Sequence, residues 1–419
     1  MVKTTTLSNG MRVVTDASNQ AETVSMGVWV SVGARYETPD IGGISHVLEH
    51  MAFKGTATRS AFQIAEEIEA VGGIMNAYTG KDMTAYYVKV LKEDLALGLD
   101  IIADILQNSK MDRDELAKEQ GVIVQEINMQ NDTPDELVFD YLAAKAFPDQ
   151  PLGRPILGTA DNVRSVTSQK LLDYMHTQYT AGRMIISASG AIDHDTFVQM
   201  CEKAFTKIGN RPVKKEQPGL YVGGDMRVQK DNEQVNLVLG FEGLSYTDND
   251  YYAASVLSGI FGGGMASRLF QEIREKRGLV YSIYSFNSPE TDTGIFGIYA
   301  GTGEKEVAEL MPVLCDEILT LPSTIRDDEI ARAKARLKAR ILMRMENIST
   351  HAELNAIDMI IHGRVVPKEE TIAAIDRVDL EALKRVAHRV FSSKPTLAAL
   401  GPIKHVMAYE DVLRRLKNV

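Results

Sequence analysis

Cysteine is nearly absent. Only Cys201 and Cys315 occur in 419 residues, far apart and in no CxxC spacing, which argues against a disulfide framework or a cysteine-ligated zinc site and suits a reducing compartment. Long apolar runs are missing too, none approaching the roughly 18 residues of a membrane helix. The N-terminal stretch MVKTTTLSNGMRVVTD has no apolar signal-peptide core and reads as strand, Asn-Gly turn, strand. No membrane insertion and a cytoplasmic location are expected. Nor is there an excess of basic charge. Lys+Arg 46 against Asp+Glu 57 leaves a net charge of −11, which disfavours nucleic acid and anionic membrane and favours cationic ligands such as basic peptides. The same charge also serves simply to keep a protein soluble.

What remains is an ordinary globular composition, 44% hydrophobic and 25% charged, in a chain long enough for two domains. MRVVTDA and TVSMGVWVSVGARY predict strands, Ser60 to Ala70 a helix, and AYYVKV a strand. LKEDLALGLDIIADILQNS and DRDELAKEQGVIVQEINMQ carry apolar residues at helical spacing. The Pro-, Gly- and charge-rich segment KIGNRPVKKEQPGLYVGGD is the expected linker, dividing the chain into 1–217 and 218–419. The same order then returns. QVNLVLGF resembles the early strand, and DELAKEQGVIVQEI lies beside DEIARAKARLKARI at an offset of 214 (328 − 114), setting Glu126 opposite Arg340. An internal duplication follows, with a second copy unable to bind a cation as the first would. YYAASVLSGIF stands where GGISHVLEHMAFKGT stood, and there both histidines are lost. The fold class expected is α+β: two homologous α/β units, each a mixed or antiparallel sheet with helices.

In that glycine-led segment His46 and His50 are four apart, with Glu49 immediately before the second. On a helix residues four apart differ by about 40° around the axis, so both imidazoles can face one ion while Glu49 stands beside them as a base. This is HxxEH, the inverted form of the zinc-protease HExxH. A half-buried helix whose histidines bond to the backbone would carry the same letters. Chance supplies the pattern in on the order of one chain in a hundred, so a third ligand has to be found. Glu119 and Glu126, seven apart on the next long helix, lie at nearly the same angle. Such pairs are common on solvated faces, but Val122, Ile123 and Val124 between them suggest partial burial, where carboxylates want a cation.

With these residues in place the chain resembles the inverzincin peptidases, the family of pitrilysin, insulin-degrading enzyme and the mitochondrial and bacterial processing peptidases. Their HxxEH is followed by a ligand glutamate, here 76 residues beyond His50 (126 − 50), and by another glutamate seven residues before it, here Glu119. The likeness extends over nearly the whole chain and is strongest to the processing-peptidase branch. It implies that His46, His50 and Glu126 ligate one zinc per chain, that Glu49 is the base, and that Glu119 supports a ligand histidine. It implies further that Asn76 and Ala77 lie on an edge strand that takes substrate as an added strand. Arg274 and Tyr281, in FGGGMASRLFQEIREKRGLVYSIYSF, match an arginine and tyrosine that reach the substrate and the reacting carbonyl. Read alone, these residues suit equally an ordinary hairpin, a salt-bridged helix arginine and a strand-core tyrosine. No GK[ST] follows Gly262 to Gly264, so a nucleotide P-loop is not expected. Family members enclose substrate between four such units. One chain supplies two, so half of a clamshell and a homodimer are implied, with peptide substrates. The alternatives are a non-catalytic partner subunit, against which the intact His-Glu-His set speaks, and one half of a heterodimer.

Overall fold

A computed structural model describes residues 2–212 and 217–417, so residues 213–216 of the expected linker lie outside the described residues. The chain forms two compact units, each an α/β unit built on one mixed sheet. The first comprises residues 1–128, 154–216 and 343–366, the second 129–153, 217–342 and 367–419. Neither unit is therefore a single stretch on one side of the expected 217/218 cut. Segment 129–153 belongs with the later residues and segment 343–366 with the earlier ones.

The first sheet contains β1 (Val2–Thr6), β2 (Arg12–Ala17), β3 (Thr23–Val30), β4 (Ile74–Thr79), β5 (Thr84–Leu91) and β6 (Met184–Gly190), ordered β1-β2-β6-β3-β5-β4. β2 pairs with β6 in parallel, and the other neighbours are antiparallel. The second has β7 (Gly224–Gln229), β8 (Val235–Glu242), β9 (Ser282–Pro289), β10 (Gly294–Thr302) and β11 (Thr396–Gly401), ordered β7-β11-β8-β10-β9. Its β7 and β11 are parallel and its other pairs antiparallel. Apart from β1, order and direction repeat strand for strand. The helices Arg113–Asn131 and Asp327–Arg344 begin 214 residues apart (327 − 113), so the offset read from the sequence is the register of the repeat.

Strand alternation decides what each sheet covers. On one face of the first sheet Val13, Val28 and Val30 join a large core with Val47, Leu48 and Met51. On the other Val14, Trp29 and Ile185 meet Ala352, Ala356 and Met359 of the helix Ile348–Ile361. The second sheet does the same with the helix Pro134–Ala146. Its Leu137, Val138 and Leu142 pack on Val238, Ala398 and Leu400, while Leu237, Leu239 and Leu397 face the larger core. One strand is shorter than its apolar run predicts. β3 stops at Val30, and Ala34–Tyr36 form a short turn of helix. Gly33 passes so close to the next hairpin that a Cβ there would lie 2.3 Å from the Gly80 carbonyl oxygen. Among the described residues no helix is long and apolar enough to cross a membrane.

Candidate metal centre

The histidine helix, Ile44–Ala52, starts at a constrained corner. Gly43 has φ 93°, and a Cβ there would stand 2.6 Å from the Leu157 carbonyl oxygen, so glycine is required both by conformation and by space. The buried Glu37 carboxylate accepts from the Gly43 and Ser45 backbone N–H groups at 2.6 and 2.8 Å, satisfying donors that the first turn leaves free. Burial nevertheless pushes the Glu37 carboxyl up to about 7, against the opposing pull of those N–H groups. Ile44, Val47, Leu48 and Met51 fill the core face, which turns His46, Glu49 and His50 outward, half-buried.

The helix Arg113–Asn131 buries Leu116, Glu119 and Ile123 along one line, and Glu126 continues it. The apolar trio between the glutamates divides: Ile123 is fully buried while Val122 is exposed. His46, His50 and Glu126 converge, each offering one ligand atom within 4.8 Å of the others. His46 Nε2 and His50 Nε2 lie 3.9 and 3.7 Å from Glu126 Oε2. Donors about 2.0–2.1 Å from a tetrahedral zinc lie roughly 3.3–3.4 Å apart, so a closure of about half an ångström brings these pairs to that spacing. Two imidazoles and a carboxylate are also the donor set of catalytic zinc sites, which leave a fourth position open. Residues and geometry fit a zinc ion.

The state of each donor suits that role. Burial, with the neighbouring His50 ring adding to it, pushes the His46 imidazole down to about 4, which keeps it neutral with a free lone pair. His50 Nδ1 lies 3.0 Å from Glu119 Oε2, a partnership that fixes the tautomer and leaves Nε2 for the ion. Glu119 in turn receives Lys54 Nζ at 2.7 Å. Burial alone would raise the Glu119 carboxyl, but the bonds from Lys54 and His50 prevail and hold it below the usual range. Glu49 accepts a short hydrogen bond from Thr79 Oγ1. Burial raises its carboxyl while Thr79 opposes.

Thr79 closes β4, the outermost strand of its sheet. Asn76 and Ala77 lie on this edge, and Asn76 Oδ1 accepts from the Ala77 N–H at 2.8 Å. Arg274 and Tyr281 belong to the second unit. Arg274 is exposed on the π-helical turn Phe270–Glu275, its guanidinium 5.0 Å from the centre of the Phe270 ring. Tyr281 is exposed just ahead of β9, its N–H bonded to the Gly301 carbonyl at 2.8 Å. The structure thus gathers His46, His50, Glu126, Glu49 and Glu119 at one place in the first unit, with Asn76 and Ala77 on the neighbouring strand, while Arg274 and Tyr281 lie in the second unit. Two participants lay beyond sequence reasoning. Lys54 stands four residues past His50, just beyond the end of the helix, a nearness in sequence that could have suggested it. Thr79 had no signal beyond standing in the edge-strand segment.

A two-unit α/β repeat with a His-His-Glu cluster and an adjacent carboxylate in its first copy is an arrangement that suits a metallopeptidase. The chain belongs to peptidase family M16. The family's model "Insulinase (Peptidase family M16)" matches residues 12–160, and "Peptidase M16 inactive domain" matches 165–337. An uncharacterized zinc protease of Rickettsia felis is 40% identical over 94% of this chain and 96% of its own length. A probable mitochondrial-processing peptidase subunit beta of Arabidopsis thaliana is 37% identical over 99% of this chain and 81% of its own. An uncharacterized zinc protease of Bacillus subtilis is 37% identical over 96% and 98%. Among solved structures, a protease from Helicobacter pylori shares the fold at TM-score 0.88 and 23% identity, covering 96% of this chain and 99% of that one.

Proposed function

We propose that this chain is a zinc-dependent endopeptidase that cleaves peptides or unfolded segments. The observation that carries the reading is the convergence of His46, His50 and Glu126 with Glu49 hydrogen-bonded beside them. Zinc bound there supplies Lewis acidity toward a peptide carbonyl and acidifies water. Glu49, its carboxylate oriented by Thr79, takes the proton of the attacking water and delivers it to the departing amine. Glu119 keeps the His50 ring in one tautomer and orientation through the cycle. A substrate adding to the β4 edge is held through its backbone, so side chains of many kinds are accepted. It would displace Asn76 from the Ala77 amide. The net charge of −11 favours basic peptides among these.

The reading includes a homodimer in which Arg274 and Tyr281 of one copy act on substrate held by the other, as donors toward the developing oxyanion. A heterodimer is the second reading, favoured by the name of the Arabidopsis relative, which describes that protein as a subunit. Metal content and cleavage of a basic quenched peptide by the purified chain alone test the enzyme. Glu49→Gln should retain zinc and lose turnover, and unchanged turnover overturns the assigned base. Mass measurement in solution with activity assayed alone separates the dimer readings: an inactive monomer that gains activity only with a second, different chain sinks the homodimer.

A further inference from the structure

The repeat allows the second unit to be compared with the metal centre position by position. The helix Tyr251–Gly262 occupies the place of the histidine helix between the third and the edge strand of its sheet. Setting HVLEH (46–50) on SVLSG (255–259) keeps Val-Leu and puts Ser255, Ser258 and Gly259 opposite His46, Glu49 and His50. Contacts agree with this register. Glu49 bonds to Thr79 on edge strand β4, and Ser258 Oγ lies 3.1 Å from Ser285 Oγ on edge strand β9. His50 meets Glu119, and a Cβ on Gly259 would lie 3.3 Å from the Ala333 Cβ, Ala333 being the residue 214 after Glu119 (333 − 119).

The three ligand positions, the base and the supporting glutamate of the first site thus each have a counterpart, and all five, with Arg340 for Glu126, line one cavity of about 260 Å³. Its chemistry is inverted. Arg336 and Arg340, both exposed, project from the helix one turn apart, and none of the lining residues is a carboxylate. Of the three lining serines, Ser255 donates to the Tyr251 carbonyl at 3.1 Å and Ser285 to the Ser258 carbonyl at 2.8 Å, so the Ser258 hydroxyl, 3.1 Å from Ser285 Oγ, is the one whose proton no carbonyl holds. Among the described residues neither arginine has a carboxylate within salt-bridge distance, in a chain of net charge −11. The glycine run is shaped for this lining. A Cβ on Gly262 would lie 2.2 Å from Ser285 N, on Gly263 2.6 Å from Gly259 Cα, and on Gly264 1.9 Å from Arg336 Nη1. Glycine at 264 is therefore what lets the Arg336 guanidinium lie where it does. Asn287 also lines the cavity, and its Oδ1 is buried without a hydrogen-bond partner, an acceptor that a ligand N–H can satisfy.

We propose that this relic of the metal site is an anion site that binds a carboxylate carried by a peptide. The two guanidinium groups hold the carboxylate oxygens, the Ser258 hydroxyl turns from Ser285 to donate to what remains, and Asn287 takes a neighbouring amide N–H. The inference stands on the second unit alone and does not depend on what the first unit catalyses.

The test is calorimetric titration of the full chain carrying Glu49→Gln, so that no peptide is turned over. The probes are one short acidic-ended peptide with a free C-terminus, its C-terminal amide, and the amide with its side-chain carboxylate also removed. The free peptide should bind, and the last should not. Binding of the singly amidated peptide assigns the side-chain carboxylate, and its loss assigns the C-terminal one; either outcome supports the site. Arg336→Ala with Arg340→Ala should weaken binding roughly tenfold or more, the scale of losing charge-assisted bonds. Gly264→Ala, which displaces only the end of a flexible side chain, should weaken it in the same direction with the melting temperature unchanged. Carboxylate binding that is indifferent to both sets of substitutions overturns the proposal, as does equal binding of all three peptides.

Discussion

Replacing Glu119 separates a carboxylate that tunes the metal centre from one that merely fills space. Its side chain is 9% exposed, bonded to His50 Nδ1 at 3.0 Å and to Lys54 Nζ at 2.7 Å. Glu119→Gln preserves volume and an acceptor for the imidazole N–H but removes the charge. Glu119→Ala removes both and leaves Lys54 half-buried without its partner. Loss of such a supporting carboxylate typically weakens metal affinity 10- to 100-fold, or about 1.4 to 2.7 kcal/mol. The glutamine variant should fall near the lower end and the alanine variant near the upper. The assay is competition for zinc against a chromogenic chelator at fixed pH, with the melting temperature of the metal-free protein measured alongside. If the role is support of His50, zinc affinity drops more than metal-free stability does. Unchanged zinc affinity in both variants refutes the reasoning, and a loss confined to metal-free stability makes Glu119 a packing residue.

Thr79→Val removes the donor to Glu49 while keeping the shape; kcat should fall roughly tenfold with KM little changed, as expected when a general base loses its orientation, and a change in KM alone would count against the contact. Glu37 gives a pH signature. Its carboxyl, raised to about 7 by burial, binds more protons folded than unfolded, so it costs stability as pH rises from the ordinary value near 4.5 through 7, by roughly 3 kcal/mol in all. Denaturant titrations of the wild type should show this fall and Glu37→Gln should flatten it; identical pH profiles would place the Glu37 pKa near its ordinary value. Leu142→Ala opens a cavity between the Pro134–Ala146 helix and β8 and β11 and should cost about 2 to 5 kcal/mol, read as a lower denaturant midpoint, and a cost below ~1 kcal/mol would mean the helix is loosely seated.

The gathering of His46, Glu49, His50, Glu119 and Glu126 was legible because its signal is local. Three of its five groups share one turn of helix, and the other two repeat at seven on a second, where fixed helix geometry converts spacing into direction. The duplication was legible for a similar reason, since an offset of 214 recurs as the start of the two helices. Thr79 was not, because the bond to Glu49 depends on how β4 lies against the histidine helix, a tertiary distance without a sequence period. The exchanged segments were hidden as well. An apolar stripe on Pro134–Ala146 or Ile348–Ile361 says that the helix must cover something and leaves open which sheet. The early end of β3 followed from the close approach of Gly33 to Gly80, again a contact between distant residues.

That exchange has a bearing on synthesis. The helix covering the outer face of the first sheet ends at Ile361, although every strand of that sheet has been made by Gly190. A nascent chain emerging from the ribosome thus carries a finished sheet with Trp29 and Ile185 bare for well over a hundred further codons. Over that interval the growing polypeptide needs shelter from its neighbours, and truncating the gene at the midpoint should yield an aggregating fragment instead of a soluble half.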